Sequence, residues 1–243
     1  FDSDCVIPPD YFKILTEALD KNPLDCFGGP DAAHESFTST QKAINYSMTS
    51  FLTTGGIRGG KVSLEKFVPR TFNMGYSRRV YETVGGFREM FSEDIDMSTR
   101  IRQAGFTIGL IHPAHVYHKR RVDFAKFLRQ VYVFGMSRIT LKLLYPDSLK
   151  IVHALPAVAV ILGIALILLG IFVSSWFLLP IGIYLMAIFV SAWMSTRSLL
   201  IAVPASVIQI GGYGCGFIKA YLTKIVFGRG RDINEEIEMR KGK

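Results

Sequence analysis

Apolar residues are spread unevenly along this chain, and the unevenness divides it. After Lys150 they run almost unbroken: from Ile151 to Val173 His153 is the one ionisable residue, and Trp176 to Met194 carries no charge. A helix needs roughly 20 apolar residues to cross about 30 Å of hydrocarbon, and each run approaches that length. Separated by Ser174-Ser175, the two predict a transmembrane hairpin. A third run, Leu199 to Ile218, is interrupted by Pro204, Gly211, Gly212, Gly214 and Gly216. It is expected either to cross as a third helix or to form a re-entrant or interfacial segment. Non-helical backbone at membrane depth needs protein or water around it, and the glycines suit that alternative.

Before Lys150 the apolar positions recur at shorter periods. Pro8-Pro9-Asp10 opens a helix with Tyr11, Ile14, Leu15, Ala18 and Leu19 on one face, closed by Asn22-Pro23. Cys26 to Pro30 reads as a strand entering a loop, and Phe37 to Thr53 as a helix through Ile44, Met48, Phe51 and Leu52. Gly55-Gly56 and Gly59-Gly60 bracket a flexible loop. Ser77 is expected to cap a helix ending at Gly85-Gly86, and Ser92 to cap another ending at Gly105. Thr107 to Ile111 and Val116-Tyr117 read as strands around Pro113. Strands alternating with helices predict an α/β layer too short to close a full sheet. Val122 to Leu144 sets Phe124, Phe127, Leu128, Val131 and Ile139 against Lys126, Arg129, Arg138 and Lys142. Such a helix either lies in the membrane interface or packs on a core with its basic face in water.

Charge sharpens this division. The 243 residues carry a formal net charge of +8, and Lys119, Arg120, Arg121, Lys126, Arg129, Arg138, Lys142 and Lys150 all precede the first apolar run. The positive-inside rule expects such residues on a cytoplasmic flank, where anionic lipids also attract them. No nucleic-acid motif is present, so the partner implied by the charge is the membrane surface rather than nucleic acid. Cys5, Cys26 and Cys215 are widely spaced without a CxxC pair, which points to buried thiols in a reducing compartment. The chain opens at Phe1 on an apparent strand end without a signal-peptide pattern, and reads as an N-terminally truncated fragment.

Two acidic clusters and one histidine are the candidates for chemistry. Asp2-Ser3-Asp4 presents two carboxylates, oxygen ligands of the kind that hold Mg²⁺ or Mn²⁺ together with substrate phosphates. Ser92-Glu93-Asp94-Ile95-Asp96 puts three acids in the first turn of a helix. The macrodipole favours acids there for structure alone, but a fixed carboxylate can also accept a proton from a hydroxyl. His118, followed by Lys119-Arg120-Arg121, either meets a phosphate or the metal or is an ordinary surface residue. With His115 facing away from His112 and His118 on extended backbone, a three-histidine zinc site is not expected.

The order of these pieces adds information. Asp2-Ser3-Asp4, then Pro8-Pro9-Asp10-Tyr11, Phe72 to Arg79, Val84-Gly85-Gly86-Phe87 and Ser92 to Asp96 resemble the family 2 glycosyltransferases of GT-A fold. Phe127-Leu128-Arg129-Gln130 to Gly135 and Arg138, ahead of membrane helices, resemble the bacterial exopolysaccharide, succinoglycan-biosynthesis type. The fold class implied is α/β, a partial GT-A (Rossmann-like) domain followed by C-terminal transmembrane helices. Residues 1–121 would be the C-terminal part of the catalytic domain, 122–148 an amphipathic interfacial region, 149–222 two to three transmembrane helices and 223–243 a polar tail.

The resemblance also implies roles. Asp4 would be the main ligand of Mg²⁺ or Mn²⁺, with Asp2 near the nucleotide sugar. Asp94 would be the catalytic base and Glu93 its neighbour at the acceptor. Gly75 would let the backbone approach the donor sugar, and Arg129, Gln130 and Arg138 would cover the nucleotide diphosphate. Val133 and Phe134 depart from the polar residues expected in that last motif. The activity implied is inverting transfer from a nucleotide-diphosphate sugar to a polyprenyl-linked or polysaccharide acceptor at the bacterial inner membrane, with the catalytic domain cytoplasmic. This stretch by itself is expected not to turn over. The rival readings are a non-catalytic membrane-anchored binding protein, a GT-A-like nucleotidyltransferase and, last, a small transporter.

Overall fold

A computed structural model describes residues 1–3, 5–32, 37–55, 67–118, 121–196 and 199–228. They fall into two compact units, the first drawn from 1–37 and 67–118, the second from 38–55 and 121–228.

The first unit is mixed helix and sheet. Strands β1 (Cys5–Val6), β2 (Cys26–Gly28), β3 (Asp31–Ala32), β4 (Met74–Tyr76), β5 (Ile108–Leu110) and β6 (Val116–His118) form two three-stranded sheets. In one, β6 lies between β1, antiparallel with Cys5 opposite His118, and β3, parallel with Asp31 opposite Val116. In the other, β2 lies between antiparallel β4 and parallel β5, with Phe27 opposite both Gly75 and Gly109. Helix α1 (Tyr11–Lys21) forms where the apolar period begins and stops at Asn22 before Pro23. Its Tyr11, Ile14, Leu15, Ala18 and Leu19 pack with Phe72, Ile111 and Val116. On the second sheet, α4 (Arg78–Val84) and α5 (Glu93–Gln103) bury Val80, Met97 and Ile101 against Cys26. Ser77 caps α4 as expected, accepting from the Val80 N–H at 3.3 Å, and Gly85 ends it with a φ of 75° that a side chain would resist.

Ser92 behaves differently from expectation. It sits in the left-handed region (φ 65°) and makes no side-chain cap. Its carbonyl instead receives the N–H groups of Ile95 and Asp96, and the Asp94 carboxylate takes the Ile95 N–H at 2.8 Å. Non-glycine residues adopt this conformation rarely and at a cost of order 1 kcal/mol, so the turn before Glu93 is held by its surroundings.

The second unit is helical. It contains α2 (Ser39–Thr49), α3 (Phe51–Thr54), α6 (Phe124–Leu144), α7 (Ile151–Phe172), α8 (Leu179–Thr196) and α9 (Leu199–Ala220), the last continued by a π turn at Tyr221–Val226. The helix expected over Phe37 to Thr53 is two helices, broken at Ser50, and Thr38 heads the first with a capping box to Gln41. Both pack within the helical unit: the Tyr46 hydroxyl donates to the Ile188 carbonyl at 3.2 Å, and the Tyr184 hydroxyl to that of Leu52 at 2.7 Å. The division expected at residue 121 therefore misses this inserted stretch. The loop expected after Gly55 lies outside the described residues.

Three helices among the described residues are long and apolar enough to cross a membrane: Ile151–Phe172, Ser175–Ser195 and Ile201–Val226. The third differs in kind, with 44 % of its apolar window buried in protein against 6 % and 11 % for the others. The non-helical backbone expected at Gly211 to Gly216 is not found, because α9 is continuous through it. The glycines serve close packing. A Cβ on Gly212 would lie 2.6 Å from Val131, one on Gly214 2.5 Å from the Pro156 carbonyl, and one on Gly216 would strike the Tyr132 carbonyl. Small residues let helix backbones approach, which offsets the roughly 1 kcal/mol that each glycine costs a helix. Helix α6 packs one face on protein, burying Phe127, Val131, Ile139 and Leu141.

Candidate active site

The acidic turn of α5 sorts its three carboxylates by environment. Asp96 is fully buried (0 % exposed) and takes two guanidinium groups, Arg88 at 3.1 Å and Arg100 at 3.0 Å. Arg100 continues to the carbonyls of Val84 and Gly86, so this cluster fastens the end of α4 onto α5. Asp96 is thereby committed to structure.

Asp94 and Glu93 are placed otherwise. Asp94 Oδ2 meets Arg70 at 2.9 Å, with side-chain exposures of 13 % and 16 %, while Oδ1 holds the Ile95 N–H. Its plane is therefore fixed, yet a carboxylate keeps further lone pairs for an incoming hydroxyl. Arg70 sits on a segment also tied to α5 by Arg102, whose guanidinium reaches the Phe67 carbonyl at 2.6 Å. A shallow groove opens beside Arg70, lined by Gly29, Pro30, Asp31, Phe67, Val68 and Phe72. Burial pushes the Glu93 carboxyl up from its ordinary range; the negative charges of Asp94 and Asp2 add to the rise, and Arg70 opposes it. Asp2 thus belongs to the same electrostatic neighbourhood as Glu93 and Asp94. The structure brings together residues that are some 90 positions apart in sequence.

The rise in Glu93 has a consequence for stability. A carboxyl with a raised folded pKa keeps its proton while the unfolded chain, titrating near 4.5, has already lost it. Stability therefore falls as pH rises through that window and stays lower above it. Glu93→Gln removes the loss, so its melting temperature should exceed that of the parent at pH 7.5, with the gap closing below pH 4.5. An equal gap at both pH values would show that the side chain acts through packing rather than ionisation.

The framework under this turn is a hydrogen-bonded relay. Tyr11 donates its hydroxyl to Asn73 Oδ1 at 2.6 Å, and Asn73 Nδ2 donates to the Ala114 carbonyl at 2.8 Å. Both side chains are buried, and burial pushes the Tyr11 hydroxyl up to about 12. Asn73 therefore joins α1, the stretch before β4 and the loop before β6. Gly29 has to be glycine because a Cβ there would strike the Ala114 carbonyl and lie 2.5 Å from Asn73 Nδ2.

Other expected site residues have separate surroundings. Gly75 faces Phe27, whose ring fills the space a Cβ would need, so packing already demands glycine there. His118 lies on β6 with its ring stacked on Phe72 at 4.3 Å, next to the Cys5 thiol that donates to the Phe72 carbonyl. Asp4, Lys119 and Arg120 lie outside the described residues. Arg129, Gln130 and Arg138 are on α6 in the helical unit, Arg129 exposed and the other two half-buried. Among the described residues no cluster of three His, Cys, Asp or Glu side chains is arranged to hold a metal ion. The exposed carboxylate of Asp2 fits a hard cation that takes its remaining ligands from phosphate oxygens and water.

Sequence reasoning passed over Arg70, the ion-pair partner of Asp94. Nothing in its loop sequence marks it, and the pair spans 24 positions. Against known families, the model described as glycosyl transferase family group 2 matches residues 1–208. The chain belongs to that family. No curated protein matches it. Membership in a glycosyl transferase family implies a sugar donor and an acceptor.

Proposed function

We propose that this glycosyl transferase moves a sugar from a nucleotide-diphosphate donor to a hydroxyl of a polyprenyl-linked or polysaccharide acceptor, inverting the anomeric centre. The first unit would be part of a GT-A-type domain on the cytoplasmic side of the inner membrane, serving cell-surface or exopolysaccharide synthesis. Two observations support this above the others: the family match over residues 1–208, and the 2.9 Å ion pair by which Arg70 holds Asp94 at the start of α5.

In the reaction the acceptor oxygen bonds to the anomeric carbon as the bond from that carbon to the diphosphate oxygen breaks. The acceptor proton passes to the Asp94 carboxylate, and the bonding electrons leave with the nucleoside diphosphate. Arg70 keeps Asp94 oriented through their 2.9 Å ion pair, and Glu93 would lie beside it towards the acceptor. Asp2, with Asp4, would hold Mg²⁺ or Mn²⁺, whose positive charge offsets that of the departing diphosphate. Arg129, Gln130 and Arg138 are proposed as contacts to the diphosphate.

The assay is sugar transfer in membranes containing the full-length protein, using a panel of radiolabelled nucleotide sugars and a lipid extract. Label should enter the lipid or polymer fraction with release of nucleoside diphosphate. Release of pyrophosphate from a nucleoside triphosphate and a sugar phosphate would instead identify a nucleotidyltransferase. A protein that binds the donor without turnover would be the non-catalytic alternative.

A further inference from the structure

We propose that α9 does not cross the bilayer: it lies along the membrane face and joins the two ends of a two-span hairpin. The inference rests on the reading that α7 and α8 cross, and goes beyond it.

The contacts of α9 with the two hairpin legs decide the matter. In a hairpin the beginning of α7 and the end of α8 emerge on one side of the membrane, while the turn lies on the other. The legs meet at that turn, where Leu178 packs over Gly170. Ala202 and Ala205, early in α9, pack with Ile188 and Ala192 in the later half of α8. Phe217 and Ala220, late in α9, pack with Ala157 near the beginning of α7. A third crossing helix would start beside the end of α8 and finish near the hairpin turn, against Phe172 or Leu179. Here it finishes against the beginning of α7. Both ends of α9 therefore stand on the same side, and the 18 residues from Ala202 to Ala220 separate the legs by about 27 Å there.

Helix α6 gives an independent reason. It runs alongside α9 in the same direction: Leu128 and Val131 cover Gly212, Tyr132 covers Gly216, and Thr140 accepts from Lys224 at 3.1 Å. Lys219 lies over the Tyr132 ring at 5.7 Å. If α9 crossed, α6 would be carried with it, taking Arg129 and Arg138 into hydrocarbon at about 2.5–3.5 kcal/mol each near the centre. On the membrane face the same cations stay outside the hydrocarbon, at the depth of water and headgroups. The apolar length of α9 is satisfied by protein, which accounts for its 44 % burial. Helix α2 joins this layer, with Ala43 and Tyr46 on the Ala202 and Ala205 face and Ile44 and Met48 against Phe127 and Val131. The layer of α2, α6 and α9 is thus a platform for an anionic lipid surface. It also places Lys142, Lys150, Lys219 and Lys224 on one side, as the positive-inside rule requires.

The test is single-cysteine labelling with a membrane-impermeant maleimide, on intact cells and on inside-out vesicles. Cys5 and Cys215 are replaced by serine, and Cys26 stays because it is fully buried. Reporters are Asp147→Cys before α7, Ser175→Cys at the hairpin turn and Phe227→Cys after α9, with Val226→Cys as a second choice should the last fail to assemble. The expected result is labelling of 147 and 227 from one side and of 175 from the other. Labelling of 227 together with 175 would mean that α9 crosses and would overturn the proposal. Labelling of 147 and 175 from the same side would overturn the hairpin itself, a different pattern that separates the two failures.

Discussion

Replacing Asp94 by asparagine should lower the rate of sugar transfer by about 10²–10⁴-fold, the contribution typical of a positioned general base. Asparagine keeps an oxygen for the Ile95 N–H that Asp94 now accepts at 2.8 Å, so the first turn of α5 should survive. The change removes the ion pair with Arg70 at 2.9 Å and, on the proposed mechanism, the group that takes the proton. Because both partners are largely buried, losing the pair should cost about 1.5–3 kcal/mol of stability, which the melting curve separates from the loss of rate. Donor binding should change little, so the effect belongs in kcat. The measurement is initial transfer rate in membranes at matched protein levels, beside a melting curve. A variant retaining more than a tenth of the parental rate would take Asp94 out of the role and leave Glu93 as the candidate.

Asp96→Ala, two positions along the same turn, should fail in the opposite way. It leaves Arg100 and Arg88 facing an empty buried site, and Arg100 is only 11 % exposed. Breaking a buried ion pair by removing one partner costs about 3–5 kcal/mol, because the remaining charge is desolvated without compensation. The unit is small, so its melting temperature should drop by roughly 10 °C or more. The turn at Gly86, which holds its place through Arg100 at 2.8 Å, should become sensitive to protease. Activity would be lost with the fold and not apart from it. A stable, folded and inactive Asp96→Ala protein would contradict this division of labour between the acids.

The two variants mark the limit of what the residues reveal in one dimension. Glu93, Asp94 and Asp96 share one helical turn, and each is explained equally well by the macrodipole. Their difference comes from Arg70 and Arg88, which reach the turn from outside the helix, and from Arg100 one turn further along it. The ends of α1, α4 and α5 were legible, since Asn22-Pro23, Gly85 and Gly105 punctuate them locally. Ser92 misled because a serine before an acidic turn reads as an N-cap, whereas its backbone is left-handed. The glycines of α9 misled for a related reason: glycine weakens an isolated helix, but only a neighbouring backbone reveals when it permits packing.

Sequence by itself determined what depends on near neighbours. The apolar runs set which segments can enter a membrane, the periodicity and punctuation set most helices, and the order of acidic and glycine motifs pointed to the family. Tertiary structure decided what depends on distant partners: that Asp96 is clamped by two guanidinium groups and that Arg70 pairs with Asp94. It also decided that Thr38–Gly55 joins the membrane helices and that α9 stays helical while resting on α6. The physical reason is that a side chain's burial and charge environment are supplied by residues remote in sequence. Periodicity records that a face is covered and not what covers it.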